Sequence, residues 1–243
     1  IRENLMEKIA ESDEELMEKY FEGEEFTPEE VEKGIKASVA SGDLAPLVVG
    51  SAEKTIGADF LLEMIQKYIP SPADVGTFKG TKDDKEVIRK VDVNEPFSAV
   101  VFKTIVDPFV GKLTLFKVVS GKITKDTEVF NSTKDKTEKL GGLFLLRGKN
   151  QLEVAEIQAG DIGATSKLNY TQTGDTLCDK GNQTLYDTIS YPQPTLFMAV
   201  EPKNKGDEEK IGTSLNKLMD EDPTFVVDRN TETKQLLIGG QGN

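Results

Sequence analysis

Histidine is absent from these 243 residues, and cysteine occurs once, as Cys178. Without imidazole the chain lacks the commonest general base, the commonest metal ligand and any Ser–His or Cys–His pair, which disfavours most hydrolase mechanisms. A single thiol cannot close an intramolecular disulfide, so the chain fits a reducing compartment, and packing is the simplest role for Cys178. No run of about eighteen apolar residues occurs. The opening stretch Ile1-Arg2-Glu3-Asn4 is too acidic for a leader. A cytoplasmic protein with no membrane partner is expected. A phosphate-cradling G-x-x-x-x-G-K-[ST] loop is missing too: Gly121-Lys122 and Gly148-Lys149 lack both the earlier glycine and the following hydroxyl.

What is present is 37 % hydrophobic and 30 % charged, with a net charge of −13. The charge is uneven. Residues 1–96 carry 12 Lys+Arg against 23 Asp+Glu, whereas residues 97–181 carry 12 against 10 and residues 182–243 carry 6 against 10. Within the middle third, residues 103–149 hold ten basic side chains against five acidic ones. That local excess suits a phosphate backbone, and it equally describes a solvated lysine-rich surface.

Periodicity divides the chain. Leu5, Ile9, Leu16 and Tyr20 share one face of an acidic amphipathic helix over 5–20. Thr27-Pro28-Glu29-Glu30 reads as a capping box with proline at the first helical position, and Gly42 as that helix's C-cap. Leu47-Val48-Val49 is expected as a short buried strand, followed by a helix over about 57–69 that Pro70 stops. One such unit cannot cover both faces of a parallel strand, so residues 1–70 are expected to end a larger α/β domain. Residues 71–93 show Ser-Pro, glycines and Lys82-Asp83-Asp84-Lys85-Glu86 without periodicity, which predicts a linker. Short β-rich runs at 97–106, 111–119, 127–131, 137–146 and 161–168 predict a small barrel over 94–181. After a second linker at 182–191, a β-α-β-β order over 192–243 predicts part of a ferredoxin-like domain. The fold class expected is multi-domain α+β.

Three short patterns carry possible chemistry. Asn204-Lys205-Gly206-Asp207 matches N-K-x-D, a guanine-reading pattern, but without a phosphate loop a polar turn before a helix is the plainer reading. The acids Asp207-Glu208-Glu209 suit the positive end of that helix. Gly239-Gly240-Gln241-Gly242 reads as a glycine turn. Asp107-Pro108-Phe109-Val110-Gly111-Lys112-Leu113-Thr114 reads as a turn feeding a strand.

Taken in order, these segments resemble elongation factor G. Asp13–Gly23 is similar to a helix inserted in that family's GTPase domain, and Gly50-Ser51-Ala52 to its last guanine-contacting loop. Asp107–Gly121, Ala159-Gly160-Asp161-Ile162-Gly163-Ala164 and Thr173-Gly174-Asp175-Thr176-Leu177-Cys178 resemble the barrel domain. Pro194 to Lys203 and Leu218 to Phe225 resemble the third domain. Arg147-Gly148-Lys149-Asn150 stands where family members often carry histidines, which points to a divergent branch.

The resemblance implies a ribosome-binding GTPase that drives translocation, with GTP and magnesium as cofactors of the whole protein. The phosphate loop and catalytic histidine would precede this chain, and further domains would follow it. The chain itself would dock and relay without catalysis, with small-subunit ribosomal RNA and the remaining domains of the protein as partners. Ser51, Ala52 and Glu53 would form the guanine edge. Lys112, Lys117, Lys122, Arg147 and Lys149 are the candidate RNA contacts. A ribosomal-protection or other translational GTPase, and an acidic protein-interaction module with no RNA role, stay open as alternatives. With no phosphate contacts, the chain is expected to show no binding in a calorimetric titration at micromolar GTP; a measurable affinity would overturn this.

Overall fold

The computed structural model describes residues 2–107, 111–204 and 206–242, without the side chains of Glu208 and Glu209. The chain forms two compact units that divide between Val75 and Gly76.

The first unit is helical: α1 (Arg2–Ala10), α2 (Glu14–Glu22), α3 (Pro28–Ser41), α4 (Ala58–Tyr68) and the short α5 (Pro72–Val75). The single helix expected over 5–20 is corrected to two. Asp13 adopts extended backbone and its carboxylate accepts the Glu15 N–H at 3.0 Å, so it breaks the first helix and caps the second. The Thr27 capping box forms in both directions: the Thr27 hydroxyl accepts the Glu30 N–H, and the Glu30 carboxylate accepts the Thr27 N–H at 2.9 Å. Gly42 closes α3 in the left-handed region, at φ 87°. The strand expected at 47–49 is absent. Leu47 is 91 % and Val49 88 % exposed, because no described segment pairs with them and an unpartnered parallel strand has nothing to bury its faces.

Where α1 meets α3, Gly34 carries no side chain because none fits: a Cβ there would lie 2.4 Å from Ile9 Cγ2. Ile9 itself is fully buried. Gly34→Leu is therefore expected to cost about 1–3 kcal/mol through overpacking, read as a lower midpoint in urea denaturation followed by circular dichroism. A second test concerns pH. The Lys19 ammonium, and after it the Thr27 N–H, hold the Glu30 carboxyl below the usual glutamate range. A depressed carboxyl stabilises the fold above its unfolded value, and that stabilisation is lost as pH falls through the folded one. Helical signal is expected to fall on acidification below the ordinary glutamate range, with a shallower acid limb in Glu30→Gln.

The second unit begins with a hairpin, β1 (Thr77–Lys82) and β2 (Lys85–Lys90), inside the segment expected to be a linker. Its two-residue turn places Asp83 and Asp84 both at positive φ, 49° and 60°. That is the type I′ pattern, which Asn-Gly signals far more clearly than Asp-Asp. The hairpin is clasped to the other supposed linker. Thr81 and Leu185 exchange backbone hydrogen bonds at 2.7 and 2.8 Å, and the 8 % exposed Arg89 donates to Thr184 Oγ1 at 2.8 Å and to the Asn182 carbonyl at 2.6 Å. One residue onward the Tyr186 hydroxyl lies 2.7 Å from buried Ser98 Oγ.

The barrel follows: β3 (Ser98–Asp107), β4 (Gly111–Ser120), β5 (Lys122–Thr124), β6 (Glu128–Asn131), β7 (Lys136–Lys139), β8 (Leu143–Arg147), β9 (Asn150–Val154), β10 (Glu156–Gln158), β11 (Ile162–Ser166) and β12 (Thr176–Cys178). Eight strands run antiparallel in the order β7-β6-β12-β3-β4-β11-β8-β9, beside a β10–β5 ribbon. Ala99, Val101, Phe116, Val118, Ile123, Val129, Leu143, Ile157 and Leu177 converge from seven strands on one core. The expected run 137–146 is two strands, because Gly141 and Gly142 interrupt it. Cys178, the last residue of β12, is fully buried, in its expected packing role.

The last segment holds β13 (Leu196–Val200), α6 (Glu208–Glu221), β14 (Val226–Arg229) and β15 (Leu236–Gly240), with antiparallel sheet order β13-β15-β14. This is the β-α-β-β order expected of a ferredoxin-like half. Gly239 and Gly240 lie in β15 and not in a turn, a correction with a steric reason: Gly239 pairs with Phe197, whose ring would sit 2.6 Å from a Cβ.

Candidate functional site

The five candidate RNA-contacting residues of the barrel part company in the structure. Lys112, 18 % exposed, ion-pairs with Asp220 of α6 at 2.9 Å. Beside it the Val106 N–H donates to Glu221 Oε1 at 2.6 Å. Lys112 is thus committed to holding the third segment on the barrel. Lys117 lies 5.3 Å from the centroid of the Phe78 ring, so its charge is directed at the β1–β2 hairpin. Lys122 pairs with Glu156 at 3.3 Å across the β5–β10 ribbon. Arg147 and Lys149 are exposed and make no ion pair among the described residues.

Those last two flank the tip of the β8–β9 hairpin, where Arg147 pairs with Asn150. Gly148, first of the two turn residues, has φ 57° and nothing within 4 Å of a would-be Cβ. Glycine at the first turn position fits a type II′ hairpin, whose twist matches that of the strands it joins. The tip therefore presents two cations on a short, ordered turn. The acidic partners Asp220 and Glu221 went unread in the sequence. Their signal is the acidic end of an otherwise amphipathic helix, where carboxylates are unfavourable to the dipole and need an outside partner.

The guanine-edge loop takes a specific form. Ser51 and Ile56 form an isolated antiparallel bridge, the Ser51 N–H donating to the Ile56 carbonyl at 3.0 Å. The Ser51 N–H is thus used inside the loop. Ala52 and Glu53 are exposed at its tip. The N-K-x-D segment closes on itself: the Asn204 side chain donates to Asp207, and Asp207 also receives Lys210 at 2.7 Å, which holds its carboxyl below the usual range. Lys205, and the Glu208 and Glu209 side chains expected to serve the helix dipole, lie outside the described residues, as does Pro108–Val110 of the turn motif. Among the described residues no group of three or more acidic, Cys or His side chains could hold a metal, and no helix is long and apolar enough to cross a membrane.

An antiparallel barrel followed directly by a ferredoxin-like β-α-β-β segment defines a translation-factor arrangement. The sequence matches the family model of elongation factor G domain 2 over residues 96–180 and that of elongation factor G domain III over residues 191–243, together more than half of the chain. The chain belongs to the elongation factor G family. A crystal structure of a protein from Thermus thermophilus is similar over 100 % of this chain, at 32 % identity and a TM-score of 0.81. The chain spans 34 % of the length of that protein.

Proposed function

We propose that the chain is a docking and relay part of a ribosome-bound translational GTPase that promotes translocation. The observation that carries this reading is the succession of two family domains, 2 and then III, joined by the Lys112–Asp220 and Val106–Glu221 contacts. Paired charges and a backbone hydrogen bond at one contact give the two domains a defined geometry, which is what a relay needs.

In this reading the cationic hairpin tip, Arg147 and Lys149, meets small-subunit ribosomal RNA, because free cations on an ordered turn neutralise phosphates without first breaking an internal ion pair. Lys112, Lys117 and Lys122 serve the chain's own contacts. GTP belongs to the longer protein. To that nucleotide this chain offers the exposed tip Ala52-Glu53 at the base edge, while its sequence carries no G-x-x-x-x-G-K-[ST] loop to cradle phosphate.

Pelleting of the chain with isolated small ribosomal subunits across a salt series tests the docking face. Arg147→Glu with Lys149→Glu is expected to weaken association and flatten its salt dependence, by about one unit of log–log slope per lost contact. Unchanged binding and an unchanged slope would sink the assignment.

A further inference from the structure

The loop between β11 and β12 is held by an unusual amount of buried polar chemistry. Glu138 of β7 is only 7 % exposed, yet its side chain is a carboxylate. One of its oxygens accepts the N–H groups of Asn169 at 2.6 Å and Tyr170 at 3.0 Å. The other accepts the Thr171 N–H at 3.0 Å and the Thr171 hydroxyl. Buried Asn131 donates in turn to Thr171 Oγ1 and to Asp175, and Asp175 accepts the Gln172 N–H at 2.9 Å. A carboxylate taken out of water needs this many donors to offset its lost hydration, and the same bonds leave the backbone at 169–172 little freedom.

That fixed backbone carries an aromatic ring outward. Tyr170 is 55 % exposed. The Lys136 ammonium stands 6.0 Å from its ring centroid. Lys134, on the β6–β7 turn, and Lys167, the first residue of the β11–β12 loop, are also exposed and make no ion pair among the described residues; Asp135 lies between Lys134 and Lys136. In a chain of net charge −13, an outward aromatic with a lysine ammonium at its ring, and two further exposed lysines on the same turn and loop, form a local exception.

We propose that Tyr170 is a stacking platform for an unpaired RNA base, with Lys136 meeting the adjoining phosphate. This deepens the ribosomal reading and rests on it. Two properties direct the choice of partner. A phenol face stacks on any base, but in a duplex the base faces are hidden within the helical stack, so only a looped-out or single-stranded nucleotide can reach it. The Lys136 ammonium over one face of the ring favours a partner that carries a phosphate at each step, its base stacking on the other face. Because the Glu138 cradle has already ordered the loop, little conformational entropy is lost when the base arrives.

The test uses the whole chain, a fluorescently labelled single-stranded RNA and a duplex RNA of equal length, with anisotropy as the readout. The chain is expected to prefer the single strand. Tyr170→Ala should lower that affinity by roughly 5- to 140-fold, the range of one base stack, while Tyr170→Phe stays near the unsubstituted value. Lys136→Gln should reduce the salt slope by about 0.7, which Tyr170→Ala leaves alone. With five tyrosines and no tryptophan in the chain, stacking should also quench the tyrosine emission directly. Thermal melting checks that the exposed-site variants remain folded. Equal affinity of Tyr170→Ala and the unsubstituted chain, or a preference for duplex, overturns the proposal. If the chain still pellets with small subunits in either case, only the stacking assignment falls; if it binds neither RNA nor subunits, the docking reading falls with it.

Discussion

Everything in the second unit depends on one strand being covered on both faces. In β4 the residues Leu113, Leu115, Phe116, Val118 and Val119 are all buried, so the strand has no solvent side. Phe116 and Val118 point into the main core, while Leu113 and Leu115 join Ala164, Ile105, Phe144 and Leu146 in a second cluster. Its neighbour β3 serves both clusters only because it is irregular. The pairing shifts between Val101 and Lys103, leaving Phe102 out of register, so that Ala99 and Val101 feed the core and Ile105 the other face. A bulge trades one residue's pairing for a bend and added twist, which lets a strand turn its apolar side around a corner. At the far end of the same two strands α6 is attached, so the orientation of the third segment follows from the way β3 and β4 are bent.

Much of this was readable because the elements obey local rules. The Thr27 capping box, the Gly42 cap and the β-α-β-β order are each written in a few adjacent residues. What escaped reading depended on contacts distant in sequence. The β1–β2 hairpin looked like a linker because its turn is Asp-Asp and its outer face is charged, and only the bond from Arg89 to Thr184 and the exchange between Thr81 and Leu185 explain why it stays in place. The strand expected at 47–49 failed for the converse reason: an apolar triplet is a strand only where partners exist to receive its hydrogen bonds.

The candidate site was legible as charge and illegible as geometry. Counting basic residues marks out a stretch, but the count treats Lys112 and Lys149 alike. One is drawn into an ion pair with Asp220, 108 positions away, and the other, on a two-residue turn, makes no ion pair among the described residues. Charge supplies the pool of possible contacts, and folding decides which of them remain available.

The clasp between the β1–β2 hairpin and residues 182–185 has an architectural consequence. The chain enters the barrel and leaves it at nearly the same place, with Thr81 and Leu185 joined by a reciprocal pair of backbone hydrogen bonds. A closed body whose two ends meet can be lifted out of one polypeptide and inserted into another through a single opening, or reconnected there and opened elsewhere, with its interior unchanged. The barrel is in that sense a cartridge, and the Arg89 guanidinium is the catch that keeps its ends together.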